Sequence, residues 1–277
     1  MSARFSGRVV VVTGASAGIG LACAHRFAAE GARVVMVARG EAALAAAAAA
    51  VGGGAVAHVA DVADPVAQAA LVARAVELGG LDVLVNNAGF HPRGALADQT
   101  ADDLGRAVDV NLRAPITLTR LALPVMRAAG RGAIVNVASL AGRVPLPNAA
   151  TYSATKFGLR AFSLALADEL VGTGVTVSVV SPGPVDTGFI MDDLDHVPDI
   201  VLSQPMSTAD EVAAEVVACA ADGAPERALP RVSAALTTLG YVLPPLRRAL
   251  RPLLERQGRR NKRRYRERGD GGGGSRA

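Results

Sequence analysis

The sequence has 277 residues, of which 51% are apolar and 3% are aromatic. This length accommodates one large α/β domain or two smaller ones, with enough apolar residues for a sizeable core. So few aromatic residues argue against a single-strand nucleic-acid binder, which needs stacking platforms. The net charge of +4 is unevenly distributed, because residues 247–277 contain 12 basic and 3 acidic side chains. The rest of the chain is therefore mildly acidic, and the high basicity belongs to the C-terminal segment alone.

Predicted strands and helices alternate from residue 9 to about residue 180. This alternation predicts right-handed βαβ crossovers, and so a single doubly wound, Rossmann-like parallel sheet with helices on both faces. No change in composition divides it, and we predict one α/β domain over residues 1–246. The predicted strands are 9–12, 34–38, 56–59, 81–85, 133–137 and 175–180, and the predicted helices are 18–30, 41–51, 65–78, 101–129, 151–171 and 209–220.

The alternation is lost in the last third of the chain. Residues 187–208 contain two prolines and several aspartates, and a loop of this length predicts a functional lid. Residues 227–254 are apolar without a clear assignment, apart from a candidate short strand at 227–232. Residues 247–268 form a basic C-terminal extension, and the glycine-rich residues 269–277 are predicted to be disordered.

The cysteines and the N-terminus indicate an intracellular protein. Cys23 and Cys219 both lie in apolar helical patterns, which predicts core packing for the two thiols. The N-terminus is polar and leads directly into a strand, without a secretory signal or a spanning helix. We therefore expect a cytoplasmic protein, and the sequence offers no metal site.

A glycine-rich loop follows the first strand with the spacing Gly14-x3-Gly18-Ile19-Gly20. Gly14 permits a tight turn, Gly18 lets the backbone approach a pyrophosphate, and Gly20 allows the helix to pack on the strand. The helix that begins at Gly18 and Ile19 presents free N–H groups and a positive dipole end. The βαβ frame around this loop predicts dinucleotide binding, and the alternative is a glycine-rich turn without a ligand.

The end of the second strand indicates which nicotinamide cofactor is used. NAD-binding folds usually place an acidic residue there to bind the ribose 2′-hydroxyl. Here Ala38 occupies that position and Arg39 follows it. A guanidinium binds a 2′-phosphate through charge-assisted hydrogen bonds, and the Ser16 hydroxyl is placed to add another. We therefore predict NADP(H) in preference to NAD(H), the alternative being a solvated Arg39 with mixed cofactor use.

Four polar residues form a candidate catalytic set. Tyr152 and Lys156 are four residues apart, so their side chains share one helix face. A neighbouring cation lowers the pKa of a tyrosine, although such a pair also occurs by chance on surfaces. Ser139 follows the fifth strand, at the sheet edge where such folds bind ligands. Asn111 lies within a predicted helix, where asparagine is otherwise unfavourable.

These motifs resemble the short-chain dehydrogenase/reductase family over roughly residues 5–222. The resemblance rests on the Thr13-Gly14-x3-Gly18-x-Gly20 loop, the Asn86-Asn87-Ala88-Gly89 stretch, and Ser139 with Tyr152-x3-Lys156. It implies that Tyr152 is the general acid/base and that Ser139 polarises the substrate oxygen. It also implies that Lys156 lowers the tyrosine pKa and binds the nicotinamide ribose, while Asn111 holds a water in a proton relay.

The same resemblance implies further cofactor contacts and an activity. The chain would be an enzyme that interconverts a carbonyl and an alcohol by hydride transfer with NADP(H). The implied contacts lie beside the cofactor, at the adenine, and at the nicotinamide carboxamide. They are Asn86, Ala88 and Gly89 in the first group, Asp61 and Val62 in the second, and Pro182, Gly183, Val185 and Thr187 in the third.

The chain departs from the family pattern after residue 222. It lacks the Val-Asp-Gly-Gly ending that often supports a tetramer, which leaves homodimer and homotetramer open and argues against a carrier-linked ketoacyl reductase. The apolar lid residues suggest a bulky apolar substrate. Two other classes remain open, a catalytically silent NADP(H)-binding sensor or scaffold and a non-redox epimerase of the same fold.

The segment 239–268 combines leucines with arginines. Leu246, Leu250, Leu253 and Leu254 fall on one helix face, although Pro244, Pro245 and Pro252 should shorten any helix. In one interpretation the leucines cap the domain or a dimer interface while the arginines are solvated. In another, the segment contacts the inner membrane face as a peripheral anchor. Nucleic-acid binding is the least favoured, because a basic run alone is a non-specific signal.

Overall fold

The computed structural model describes residues 3–271, with side chains as far as residue 267. Within them the chain forms nine strands. These are β1 (Val9–Thr13), β2 (Arg33–Ala38), β3 (Val56–Val59), β4 (Val83–Asn86), β5 (Gly132–Val137), β6 (Val175–Pro182), β7 (Val185–Asp186), β8 (Ser207–Thr208) and β9 (Glu226–Leu229).

Ten α-helices accompany these strands in the described part of the chain. They are α1 (Gly18–Ala29), α2 (Glu41–Val51), α3 (Pro65–Glu77), α4 (Ala101–Val108), α5 (Ala114–Ala128), α6 (Ala150–Glu169), α7 (Gly188–Met191), α8 (Ala209–Asp222), α9 (Arg231–Val242) and α10 (Pro244–Gly271). Short 3₁₀ turns lie at Leu96–Asp98, Leu140–Gly142, Leu194–His196 and Val201–Ser203.

Seven strands form one parallel sheet in the order β3-β2-β1-β4-β5-β6-β9. The predicted doubly wound α/β fold is confirmed. The strand order reverses between β1 and β4, and ligands of such sheets bind beyond the carboxyl ends at this switch point. The candidate strand at 227–232 is the short edge strand β9, which pairs with β6.

The core lies on both faces of the sheet. Strand β1 is buried along its whole length, and its side chains alternate between the two faces. Val10 and Val12 pack in the layer with α1, α2 and α8, whereas Val9 and Val11 pack in the layer with α3 and α5. Cys23 and Cys219 are both fully buried in the first layer, which confirms their predicted core packing.

The predicted helix over 101–129 is interrupted. Helices α4 and α5 are separated by the π-helical turn Asp109–Arg113, and Pro115 lies in the first turn of α5. Single π turns of this kind often occur at functional sites. The buried Asn111 lies within this turn, which the sequence pattern did not indicate.

The C-terminal segment is more ordered than predicted. Helix α10 has 28 residues and includes Pro252, so the expectation that prolines would shorten it is wrong. Pro244 and Pro245 begin the helix, where an N–H group would lack a partner anyway. The disorder predicted for 269–277 stays a prediction, since α10 ends at Gly271 and residues 272–277 lie outside the described part.

Candidate active site

Two adjoining cavities open at the carboxyl ends of the central strands. One has a volume of about 410 Å³ and is lined by residues that include Ser139, Tyr152 and Lys156. The other has a volume of about 540 Å³ and is lined by residues that include Ser16 and Arg39. Gly14, Ala88 and Gly89 line both, so the cavities meet at the glycine loop. They lie at the switch point where the fold predicts a ligand.

The glycine loop leaves no room for side chains. At Gly14, which has a φ of +65°, a Cβ atom would lie 2.9 Å from the Ala88 Cα. A Cβ atom at Gly20 would overlap the Gly14 carbonyl oxygen. The loop can therefore hold this shape only with glycine at both positions.

The N-terminus of α1 is built to receive an anion. Its N-cap residue, Ala17, provides no side-chain hydrogen bond, and its first turn has no acidic side chain. By contrast, α8 begins with a capping box in which Thr208 and Glu211 satisfy the free N–H groups. The uncapped N–H groups of α1, together with Gly18 and Ile19 in the cavity wall, fit a pyrophosphate.

The second cavity combines a cation with a polar wall. Ser16, Arg39, Asp61 and Val62 line it as predicted, and Arg106 joins them. Arg106 pairs with Asp61 at 2.6 Å between Nη2 and Oδ2. Burial favours the neutral carboxyl, but the Ala63 N–H and the charges of Arg106 and Arg39 outweigh it and lower the Asp61 pKa. This charge balance fits an adenosine with an added phosphate.

The Asn86–Gly89 stretch divides its roles in a way that was not predicted. The Asn86 side chain points into the core, where Nδ2 donates to Asn136 Oδ1 at 2.8 Å, and it does not line the cleft. Instead Asn87 lines the cleft, and its Nδ2 donates to the Thr13 carbonyl at 2.9 Å. Asn87, Ala88 and Gly89 thus line the cavity, whereas Asn86 does not, and its contact with the cofactor stays a prediction.

Three of the four predicted catalytic residues, Ser139, Tyr152 and Lys156, meet in the first cavity. Ser139, the N-cap of the turn after β5, accepts a hydrogen bond from the Ala141 N–H at 3.1 Å. Tyr152 and Lys156 project from the first two turns of α6, with the Lys156 Nζ 5.7 Å from the Tyr152 ring centre. Lys156 also donates to the Val137 carbonyl at 2.9 Å, which fixes the ammonium beneath the cavity floor. Pro182, Gly183, Val185 and Thr187 line the same cavity.

Burial in this cavity disfavours charge on both Tyr152 and Lys156. Burial raises the pKa of Tyr152, while the Ser139 hydrogen bond and the Arg93 charge act against it. Burial also lowers the pKa of Lys156 to about 8. Ser139 and Arg93 are thus the groups that oppose the effect of burial on the tyrosine pKa, and the role of Lys156 stays a prediction.

Asn111 does not line the first cavity. Its side chain binds the backbone of the loop that follows β4. Its Nδ2 donates to the Phe90 carbonyl at 2.6 Å, and its Oδ1 accepts from the Phe90 N–H at 2.8 Å. These bonds occupy the side-chain amide, which fixes the loop after β4. In the described structure Asn111 is therefore a positioning residue for that loop.

Comparison with known proteins agrees with this geometry. The sequence profile described as short chain dehydrogenase matches residues 8–197. The chain belongs to the short-chain dehydrogenase/reductase family. It is an oxidoreductase of carbonyl and alcohol groups, as its relatives are.

Several relatives of this short-chain dehydrogenase/reductase are named as ketoacyl reductases or ketoreductases. A ketoacyl reductase HetN from Nostoc sp. is 41% identical over 213 residues, which cover 75% of this chain and 74% of that relative. A putative ketoacyl reductase of a monensin polyketide synthase from Streptomyces virginiae is 43% identical over 186 residues, covering 65% and 71%. A solved structure of a variant actinorhodin polyketide ketoreductase with NADPH is 35% identical, with a TM-score of 0.75 and coverage of 83% and 97%.

Two cavity residues of this short-chain dehydrogenase/reductase were missed by the sequence interpretation. The His91 ring stacks on the Tyr152 ring with 4.1 Å between centres and 16° between planes. The Arg93 side chain is 7% exposed and also lines the cavity. Both residues follow Gly89 by two and four positions at the carboxyl end of β4, so the sheet-edge rule could have found them.

The predicted lid, residues 187–208, is held by contacts on two sides. On the cleft side, Arg93 pairs with Asp193 at 3.0 Å between Nε and Oδ2, and its Nη2 donates to the Phe189 carbonyl at 2.5 Å. On the far side, α10 contacts the lid, where Lys262 Nζ donates to the Asp195 carbonyl at 2.8 Å and Arg266 pairs with the Asp195 carboxylate. The basic extension is therefore partly neutralised by the acidic lid.

The apolar lid residues mostly pack on one another. Leu194, Val197 and Leu202 form a small cluster that Tyr265 of α10 completes. Of the lid residues thought to contact substrate, Phe189 and Ile190 line the cavity together with Val201. Most of the lid's apolar side chains thus build the lid itself, and fewer of them than expected are placed to contact an apolar substrate.

Proposed function

We propose that this protein is an NADP(H)-dependent carbonyl reductase in which Tyr152 is the general acid/base. The observation that carries the proposal is the convergence of Ser139, Tyr152 and Lys156 on one wall of the first cavity. The alternatives, a silent cofactor-binding sensor and a non-redox epimerase, are less favoured because this set is intact. The short substrate-binding region also argues against an epimerase.

The cofactor assignment is supported by the second cavity. Arg39 and Ser16 line it, and no carboxylate occupies the end of β2, where Ala38 stands. A guanidinium with a neighbouring hydroxyl suits a 2′-phosphate. The solved relative that contains NADPH supports the same choice. When bound, NADP(H) supplies or accepts the hydride.

The residues of the chain would manage the substrate oxygen and its proton. Ser139 and Tyr152 donate hydrogen bonds to that oxygen, and so stabilise the negative charge that develops on it. Tyr152 transfers its proton to the oxygen during reduction and takes it back during oxidation. Lys156, already held by the Val137 carbonyl, would relay protons to the tyrosine. Asn111 fixes the neighbouring loop and would also hold a water in this proton relay.

The substrate class is inferred from the rest of the cavity wall. Apolar side chains line it above Tyr152, namely Leu140, Val144, Leu146, Ile190 and Val201. These favour a ketone with an apolar body. The names of two relatives favour a ketoacyl substrate as the second candidate, despite the missing Val-Asp-Gly-Gly ending. Both candidates place a carbonyl against Ser139 and Tyr152.

Assembly and location belong to the proposal as well. The family typically forms oligomers, and we propose a homodimer or homotetramer in the cytoplasm. Within residues 3–271, no helix is sufficiently long and apolar to span a membrane. Among the described residues, no group of three or more His, Cys, Asp or Glu is placed to bind a metal ion.

The test is turnover with defined substrates. Purified protein is mixed with NADPH or NADH and a panel of apolar ketones, aldehydes and ketoacyl thioesters, and cofactor oxidation is followed together with product identity. We expect alcohol formation with NADPH as the preferred cofactor. Binding of NADPH without turnover of any carbonyl would support the sensor, and conversion without net cofactor change would support the epimerase.

A further inference from the structure

The hairpin formed by α9 and α10 exposes an unusual amount of apolar surface. Nine of the 17 exposed large apolar side chains in the described structure lie between residues 232 and 253. They are Val232, Leu236, Leu239, Tyr241, Val242, Leu243, Leu246, Leu250 and Leu253. Proteins that act as free monomers rarely expose a contiguous apolar patch of this kind. This exposure makes the hairpin a candidate docking surface.

Helix α10 has two faces with different tasks. One face contacts the lid through Gly258, Lys262 and Tyr265, which recur at intervals of three or four residues. The opposite face is exposed and follows the series Leu246, Leu250, Leu253, Gln257, Arg260 and Arg264 at the same intervals. The outward face thus changes from apolar to basic along one helix.

The outward arginines are available for an external partner. Arg256, Arg260, Arg263 and Arg264 are all exposed, and none of them pairs with another side chain that the structure describes. Their neighbours on the inner face, Lys262 and Arg266, are engaged by the lid. Of the four, Arg260 and Arg264 lie on the same side of the helix as the exposed leucines.

We propose that the α9–α10 hairpin docks on an anionic lipid surface. Its leucines would enter the boundary of the acyl chains while the outward arginines of α10 bind acidic headgroups. A bilayer with acidic lipids presents apolar acyl chains next to anionic headgroups. The outward face of α10, which changes from apolar to basic, matches this arrangement. This inference does not depend on the catalytic assignment.

A second copy of the chain fits this surface poorly. Parallel pairing of two α10 helices would bring Arg260 and Arg264 against their own copies, with like-charge repulsion. Antiparallel pairing centred on Leu250 would cover the leucines but would carry Arg260 and Arg264 past Pro244, where the partner's α10 begins, and leave them without a partner on that helix. The distribution of charge therefore favours lipid over self-association.

The experiment measures sedimentation of the full chain with vesicles. Vesicles contain phosphatidylcholine alone or mixed with phosphatidylglycerol, at low and high salt. We expect binding only to the mixed vesicles, weakened by salt. The double variants Leu250→Gln/Leu253→Gln and Arg260→Gln/Arg264→Gln should each reduce the partition coefficient by about tenfold or more.

Matched controls separate this surface from general charge and hydrophobicity. Val66→Gln/Val171→Gln removes two exposed apolar side chains elsewhere, and Arg120→Gln/Arg127→Gln removes two exposed charges on α5. Both controls should bind as the parent does, and circular dichroism verifies the fold of each variant. Equal binding to neutral vesicles, no binding at low salt, or hairpin variants that bind normally would each overturn the proposal. A dimer in sedimentation velocity that Leu250→Gln/Leu253→Gln dissociates would identify a second copy as the occupant and would also overturn it.

Discussion

Arg93 pairs with Asp193 across the mouth of the cleft, with 3.0 Å between Nε and Oδ2. This ion pair joins the loop after β4 to the lid. The same guanidinium lies 5.5 Å from the centre of the Phe189 ring, and its charge acts on Tyr152. A residue that no motif indicated therefore contacts the predicted lid and influences the acidity of the proposed catalytic tyrosine.

The first prediction concerns the pH dependence of the reaction. Arg93 opposes the rise in the Tyr152 pKa caused by burial, so Arg93→Met should raise that pKa further. Reduction requires the neutral phenol and should persist to higher pH. Oxidation requires the phenolate and should begin at higher pH. The measurement is kcat/KM against pH in both directions.

The control for this prediction is Asp193→Asn, which breaks the same ion pair but keeps the cation. It should loosen the lid without raising the Tyr152 pKa. His91 does not contribute to these limbs, because burial with the nearby Arg93 and Lys156 charges lowers its pKa to about 3. Ser139, His91, Lys156 and Arg93 are the polar groups that face or influence the tyrosine. A pH profile of Arg93→Met that overlays the parent profile would refute the role given to Arg93.

The second prediction concerns the attachment of α10 to the lid. Lys262→Met with Arg266→Met removes cations that bind the Asp195 and Val197 carbonyls and the Asp195 carboxylate. Amide hydrogen exchange over residues 187–208 should become about tenfold faster, consistent with the loss of a few modest hydrogen bonds. Arg260→Met with Arg264→Met makes the same charge change on the outward face and should leave lid exchange unchanged. Equal effects of the two pairs would show that charge, not contact, holds the lid.

The third prediction contrasts two helical glycines. A Cβ atom at Gly258 would overlap the Asp199 carbonyl oxygen, whereas one at Gly105 would meet nothing within 4 Å. Alanine stabilises an open helical position by about 1 kcal/mol relative to glycine. We therefore expect Gly105→Ala to raise the free energy of unfolding by roughly that amount and Gly258→Ala to lower it, in urea denaturation. A stabilising Gly258→Ala would mean that α10 does not pack on the lid this closely.

The fourth prediction concerns the cofactor. Ala38→Asp with Arg39→Leu should shift the preference from NADPH toward NADH, because the carboxylate would repel a 2′-phosphate and bind a 2′-hydroxyl. The measurement is kcat/KM for both cofactors. Arg33→Leu, at the other end of β2, serves as the control and should leave the ratio unchanged. A parent protein that prefers NADH would show that Arg39 has been misinterpreted.

Local patterns predicted much of the fold and part of the site. The alternation of strands and helices predicted the sheet, and four-residue spacing placed Tyr152 and Lys156 together. The edge rule placed Ser139 at the cleft. These successes share one cause, since each depends on residues close in sequence or on a general property of parallel sheets.

The remainder depends on contacts between distant parts of the chain. Asn86 and Asn87 are adjacent, and only the pairing of Asn86 with Asn136 shows which of them faces the core. The basic extension resembled a solvated tail because its partner, Asp195, lies 71 positions before Arg266. The π turn around Asn111 likewise leaves no signature in the hydrophobic pattern. Sequence periodicity does not encode such pairings.

The most direct test of the proposed function is Tyr152→Phe. The substitution removes the phenol proton but keeps the ring that packs against His91. We expect carbonyl reduction to fall by about a hundredfold or more, while the Kd for NADPH changes little. Tyr241→Phe, on the exposed hairpin, should retain full activity. Activity of Tyr152→Phe within about tenfold of the parent would contradict the assignment of Tyr152 as the general acid.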